Sequence, residues 1–332
     1  MAMVREFLTG ILTRTVAAAV VYANLCGLGA AQDKYPSRIV QIINPYQAGG
    51  TTDTLARALS VGLSKDLGQQ FVVLNKPGAG GTIGTAVAAR SEPNGYTLLF
   101  APALVISVLP QVRPKSEVGY EPETLIPICQ TFVNTMGLLV RDDSPIKNLK
   151  DLSSQARARP GMLNYGHQGL STIPQLAMEE FLSAAKLKIN GVPYRGDPEV
   201  LTDLLGGRID VAAVVLGAVG IIGHGAQIIA VFGDERHPSY PNAPTAVEQG
   251  FNVAPTSFGG LFAPRETPAG IVNTLSGSCA KAAKDAAYVL AAEHAAQPRS
   301  YFADRDAFRA KLQQDTSEKK KLLDALGQSA RD

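Results

Sequence analysis

Two glycine pairs, Gly49-Gly50 and Gly80-Gly81, each stand between an apolar run and a stretch with helical spacing. Glycine lets the main chain approach a ligand closely and take positive φ. In Tyr46-Gln47-Ala48-Gly49-Gly50-Thr51-Thr52-Asp53, the hydroxyls of Thr51 and Thr52 and the carboxylate of Asp53 suit the N-cap of the following helix. The free N–H groups of such a first turn, aided by the helix dipole, favour an anion. Asn75-Lys76-Pro77-Gly78-Ala79-Gly80-Gly81-Thr82 repeats the arrangement. Two helix N-termini converging on one point would suit a carboxylate. The same residues would serve equally as two tight strand-to-helix turns, and the residues alone leave both readings open.

A third polar glycine loop is Gly166-His167-Gln168-Gly169-Leu170-Ser171-Thr172. His167 is placed there either to touch a ligand or to face solvent. Arg195, in Tyr194-Arg195-Gly196-Asp197, is the cation best placed for an anionic ligand, because a guanidinium can hold a carboxylate through two bonds. A solvated arginine is the alternative. Other chemistries fail on spacing. A P-loop needs Lys then Ser/Thr after its last glycine, but Gly84 is followed by Thr85. A dinucleotide loop counted from Gly78 meets Ile83 at its sixth position. None of His167, His224, His237 and His294 falls in a zinc-protease or nucleophile-elbow motif. No carboxylate pair stands out, and the cysteines lack metal-site spacing. An enzyme, a cofactor and a bound metal are therefore not expected.

The elements that must hold these loops follow a strand–loop–helix rhythm. Residues 39–43 form a short β-branched run, the mark of a parallel strand buried on both faces. Leu55, Leu59, Leu63 and Leu67 then recur every four residues, in a helix closed by Gly68. Strands are expected at 71–74 and 96–100, with a short Ala-rich helix at 83–90. A second set follows, with strands at 136–140, 162–165, 211–216 and 228–232. Its helices are expected at 149–158, 174–185 and 198–205, and the chain reads as helical beyond Pro268. The alternation implies an α/β fold whose sheets are mostly parallel. Two such units facing each other would form a cleft, the preferred place for a small-molecule site.

The chain has 332 residues, 31 Lys+Arg against 29 Asp+Glu, and 45% hydrophobic residues. That suffices for two domains with full cores, and the near-neutral balance argues against a nucleic-acid partner. Arg5 and Arg14 precede an uncharged run over 15–32 that is short and rich in Ala, which reads as an export signal cleaved after Ala31. Leu25 before Cys26 does not fit a lipid anchor. Cys129 and Cys279 remain. An exported chain could pair them, but both lie in apolar patterns and are expected as buried, unpaired thiols.

At these loops the sequence resembles the periplasmic receptors of tripartite tricarboxylate transporters, the Bug-type receptors. The resemblance spans the chain after the signal. It is carried by Tyr35-Pro36-Ser37-Arg38, the loops at 45–53 and 75–84, Pro93-Asn94-Gly95-Tyr96-Thr97-Leu98-Leu99 and Leu163-Asn164-Tyr165-Gly166. It continues with Val192-Pro193-Tyr194-Arg195-Gly196, Leu204-Leu205-Gly206-Gly207-Arg208-Ile209-Asp210-Val211, the segment 243–250 and Gly260-Leu261-Phe262-Ala263-Pro264. It implies a type II, Venus-flytrap fold of periplasmic-binding-protein type, with two crossings between domains. Domain 1 would take 32–130 and 257–332, and domain 2 would take 131–256. It implies a monomer that binds a small organic carboxylate between the domains and hands it to a membrane permease. Carried over by position, the ligand contacts would be Tyr46, Ala48, Gly49, Gly50, Thr51 and Asp53 in the first loop and Ala79, Gly80 and Thr82 in the second. His167, Gln168, Ser171 and Thr172 would close from domain 2, with Arg195 and Gly196 near the mouth.

The sequence departs from that pattern around the expected cleft. Gln47 and Ala48 replace the prolines usual before the first glycine pair. His167-Gln168 is bulkier than the usual Ser-rich loop, Gln175 stands for a His, and Ser257-Phe258 stands where a Trp is common. These changes predict a cargo unlike that of typical members, with an added polar or aromatic group against His167 and Gln168. A ligand-presenting partner of a membrane sensor, or an exported enzyme acting on a carboxylate, are the alternative functions.

Overall fold

The protein is described by a computed structural model covering residues 35–169, 172–233, 235–253, 257–297 and 301–326. The expected export signal, with Cys26 and the cleavage point at Ala31, lies outside the described residues, as does Ser171. Among the described residues, ten strands form two five-stranded sheets. The first contains β1 (Val40–Asn44), β2 (Phe71–Asn75), β3 (Thr97–Pro102), β4 (Leu125–Asn134) and β10 (Ser257–Pro264), in the order β2-β1-β3-β10-β4. The second contains β5 (Met136–Arg141), β6 (Asn164–His167), β7 (Asn190–Pro193), β8 (Val211–Val215) and β9 (Ala226–Phe232), in the order β7-β6-β8-β5-β9.

The two orders share one plan. Parallel pairs link the first three strands of each sheet, and the fourth strand is antiparallel to both its neighbours. Four of five strands therefore run one way, and each sheet is mixed, with two parallel and two antiparallel pairs. The reversed strand in each is the one that arrives from the other lobe: β5 follows β4, and β10 follows β9. Reversal and crossing are thus the same event. β4 keeps the chain in the first sheet as far as Asn134, and β5 of the second sheet begins at Met136.

The sequence shows why these elements form. β1 is buried at every position but Gln41, as its β-branched run requires of a strand with neighbours on both sides. Helix α1 (Thr51–Leu67) buries Leu55, Leu59 and Leu63 on one stripe and ends at Gly68, whose φ of 71° makes the left-handed stop. Helix α2 (Thr82–Ala89) follows the second glycine loop. In the second lobe, α3 (Leu149–Ala158) is capped by Asn148, and α4 (Ile173–Ala185) and α5 (Asp197–Leu205) each begin with proline in the first turn. After β10 the chain stays with the first lobe through α6 (Ala269–Ala282), α7 (Ala286–His294) and α8 (Arg305–Leu326). Phe308 of α8 packs on Phe258 and Phe262 of β10, with ring centroids 6.0 and 5.1 Å away.

Cys129 of β4 and Cys279 of α6 form a disulfide, which corrects the expectation of free thiols. The two are 150 residues apart in sequence, and their Cα atoms are 6.6 Å apart. Burial of both was legible, but their proximity depends on the C-terminal helices returning to β4. Closing so long a loop is worth about 4–5 kcal/mol in the chain-entropy account.

Candidate functional site

The loop after β1 is built around Asp53. One carboxylate oxygen, Oδ2, accepts the Gly49 N–H at 2.9 Å and the Arg57 Nε–H at 3.0 Å, and Oδ1 accepts from Asn75 Nδ2 at 2.8 Å. Burial pushes this carboxyl up, but the bonds from Arg57, Gly49 and Asn75 together hold it below the ordinary carboxylate range. Asp53 therefore braces the loop and lines neither cavity described below. The N-cap of α1 is Gly50, without a side-chain cap, in place of the expected Asp53, Thr51 or Thr52. The first-turn N–H groups of α1 thus keep their affinity for an acceptor.

The second loop, after β2, runs through Gly78, Ala79, Gly80 and Gly81 with φ of 131°, 48°, 66° and 106°. A side chain at Gly81 would come within 3.2 Å of the Tyr46 hydroxyl, which donates to the Gly80 carbonyl at 3.3 Å. Tyr46 thereby ties the two first-lobe loops together. From the second lobe, Gly169 approaches Gly80, and Gly196 approaches Gln47. Gln47 Nε2 donates across the cleft to Glu199 Oε1 at 2.7 Å.

Two adjoining cavities lie along this seam. The inner one holds only about 30 Å³. Its walls are Tyr46, Gln47, Gly50, Thr51 and Thr52 of the first loop, Gln168, Gly196 and Asp197 of the second lobe, and Asn134, Met136 and Ser257 at the crossings. The outer one, about 450 Å³, is lined by Tyr46, Ala79, Gly80, Arg113, Gln168, Gly169, Arg195 and Glu199. An inner space of that size admits a water or two and no multi-carbon acid.

Of the expected contacts, Tyr46, Gly50, Thr51, Gln168 and Gly196 face the inner cavity, and Ala79, Gly80 and Arg195 face the mouth. Ala48, Gly49, Asp53, Thr82, His167 and Thr172 line neither cavity. The two glycine loops meet at Tyr46 and open onto neighbouring spaces. His167 is 1% exposed, and its Nδ1 lies 2.8 Å from the Gly169 carbonyl and 3.2 Å from the Gly169 N–H. Thr172 Oγ1 donates to that same carbonyl at 2.7 Å. Both residues shape the loop that presents Gln168. Burial lowers the His167 imidazole pKa, with the Gly169 bond and Glu179 opposing. Thr82 turns its hydroxyl back to the Ala79 carbonyl.

Several wall residues were not foreseen. Asn134 and Met136 flank the first crossing, and Ser257 opens the strand after the second. Asp197 follows the anticipated Gly196 directly and begins α5. It is 3% exposed, and Gln168 Nε2 donates to its Oδ2 at 2.6 Å. Burial pushes its carboxyl up to about 7, the Gln168 bond opposing. Burial, then the Asp197 charge, also raise the Tyr46 phenol, with Arg113 opposing. Among the described residues, three that line this one cavity each carry a buried polar atom without a hydrogen-bond partner: Thr51 Oγ1, Asn134 Oδ1 and Asp197 Oδ1. No group of three or more His, Cys, Asp or Glu side chains suited to a metal occurs among the described residues.

Two α/β lobes joined by two crossings, closing on a small polar cleft, define a solute-binding protein of the Venus-flytrap class. The chain belongs to the tripartite tricarboxylate transporter receptor family, which it matches over residues 55–327. It is 34% identical over 255 residues to a Cupriavidus necator protein named for the gbd 5′ region, covering 76% of this chain and 77% of that one. Among solved structures, the periplasmic binding protein BugD superposes with a TM-score of 0.83 at 29% identity, over 90% of this chain and 100% of that one. An R. palustris protein solved with adipate gives 0.82 at 28% identity, over 89% and 99%. The Rhodopseudomonas palustris protein MatC, with bound malate, gives 0.78 at 26% identity, over 87% and 100%. The family is one of receptors and BugD is a binding protein; neither is an enzyme.

Proposed function

We propose that this protein is a periplasmic receptor that captures a small organic carboxylate in its inner cleft and delivers it to a membrane transporter of the tripartite tricarboxylate type. The export signal at 1–31 belongs to this reading, and so does a division into domains at the two crossings. The observation that carries it is the convergence of Thr51, Asn134 and Asp197, one from each lobe and one from a crossing, on a single cavity, each with one buried polar atom unused. A buried polar atom without a partner costs about 1–3 kcal/mol, which a polar ligand recovers on binding. The ligand carboxylate lies against the first turn of α1, where the uncapped N–H groups of Thr51 and Thr52 and the helix dipole favour negative charge. Gln168 and Gly196 reach it from the second lobe. A ligand touching both lobes stabilises the shut form over the open one, and that difference is the signal a permease can read.

Native mass spectrometry of the freshly exported protein, followed by calorimetry against a carboxylate panel, tests this. A retained organic acid, with affinity lost in Thr51→Val and Gln168→Ala, supports the reading. A protein that binds no member of the panel refutes it. Uptake of the same acid by cells with and without the companion permease tests delivery.

A further inference from the structure

Resting on that receptor reading, we infer that the cleft selects a carboxylate carrying a hydrogen-bond donor, an amine or a hydroxyl, whose far end is read by the free oxygen of Asp197. Several observations converge on this. Asp197 lines the inner cavity, and its Oδ1 is buried and has no hydrogen-bond partner among the described residues. Its other oxygen already accepts from Gln168 at 2.6 Å, which fixes the carboxylate plane and leaves Oδ1 as the one to be matched. The inner wall described above carries no lysine, arginine or histidine; Arg113 and Arg195 stand only at the mouth. Arg113 there is already bonded to the Ala79 carbonyl.

A second carboxylate reaching Asp197 would therefore meet like charge with no cation between. A protonated Asp197 could relieve that clash, but two features favour the ionised, accepting form. Gln168 donates to it, and it stands at the N-terminal turn of α5. An amine or hydroxyl completes the site, satisfying an oxygen that is otherwise stranded. Sites built to bond a polar group discriminate strongly against analogues that lack it, because the stranded partner is left unpaired. Recognition is thus divided: main-chain amides of the first lobe take the carboxylate, and Asp197 takes what distinguishes one acid from another.

Calorimetry at pH 8 on the full exported chain decides this with matched acids of three to six carbons. Each set compares the ω-amino acid, the ω-hydroxy acid, the plain monoacid and the diacid. The expected result is that, at the best-fitting length, a donor-bearing acid binds at least about tenfold tighter than both the monoacid and the diacid. Asp197→Asn, which keeps the shape and removes the charge, should cut the amine's advantage about tenfold, and Asp197→Ser should do the same. Melting curves establish that both variants fold. A diacid that binds wild type as tightly as any donor-bearing acid overturns this inference and leaves the receptor reading standing. So does a preference that Asp197→Asn does not change. Failure of every acid to bind overturns both.

Discussion

Asp53 and Asp197 are almost equally buried, 4% and 3% exposed, in the first turns of two helices on opposite sides of one cleft. Their carboxyls nevertheless shift in opposite directions. Both oxygens of Asp53 are occupied, by a backbone N–H, a guanidinium and an amide, and it stays ionised well into acid. Asp197 has one donor and one stranded oxygen, and burial raises it to about 7. Burial is common to both; the number of donors decides the sign. Asp53 holds structure, whereas Asp197 is held ready for a ligand at the expense of stability.

The largest test of that contrast is Asp197→Asn. Because the folded carboxyl titrates near 7 against 3.8 when unfolded, the folded state loses stability as pH rises across that window. Removing the charge should raise the unfolding free energy by up to about 4 kcal/mol at pH 8, a gain that vanishes as pH falls towards 3.8. Urea titrations at a series of pH values read this directly, and a pH-independent difference would contradict it. Asp53→Asn should do the opposite. Its carboxylate accepts on both oxygens, so an amide must turn N–H groups towards one of its donors. A loss of about 2–3 kcal/mol at pH 7 follows. That loss should fade below pH 3.8, as the depressed folded carboxyl of wild type finally takes up its proton. A neutral Asp53→Asn would mean that the loop is braced elsewhere.

A finer test separates Gln168 from its neighbour. Gln168 lines both cavities and orients Asp197, whereas His167 lines neither. Gln168→Ala should weaken binding of the best carboxylate about tenfold, and His167→Ala by about threefold or less. Comparable losses in calorimetry would return His167 to the site. Since burial disfavours its charged imidazole, His167 should also leave affinity flat between pH 7 and 8 in a variant lacking Asp197.

How much of this could be read in advance depended on the element. Strands such as β1 and β8 announce themselves, because a parallel strand buried on both faces must be almost wholly apolar. β4 and β10 did not. β4 carries Pro127, Gln130 and Thr131 within its ten residues, and β10 carries Gly259-Gly260, which looks like a turn. In the fold those glycines are packing residues: a side chain at Gly260 would strike the Cys129 carbonyl of β4. The glycine loops were legible as strand-to-helix turns, yet which side chains brace them and which line the cavities was not. Asp53 and Asp197 look alike in one dimension, and only the neighbours brought by β2 and by the His167–Thr172 loop tell them apart. The Cys129–Cys279 bridge was hidden for the same reason.

The smallest expected effect concerns the seam itself. The side-chain amide of Gln47 in the first loop reaches Glu199 of the opposite lobe at 2.7 Å. This bond spans the two lobes. It exists only when the lobes are shut, so it stabilises the closed form and leaves each lobe unaffected. A partly exposed bond of this kind is worth about 0.5–1 kcal/mol. Gln47→Ala should therefore shift the closed–open balance by about two- to fivefold, weakening ligand affinity by the same factor through faster release. Its unfolding free energy should stay within about 0.5 kcal/mol of wild type. Gln47→Pro should reproduce the loss, and Glu199→Gln should show part of it. Small-angle scattering without ligand should then report a larger open fraction in Gln47→Ala. An unchanged radius together with unchanged release would mean that the lobes stay shut through Gly169 and Gly196 packing alone.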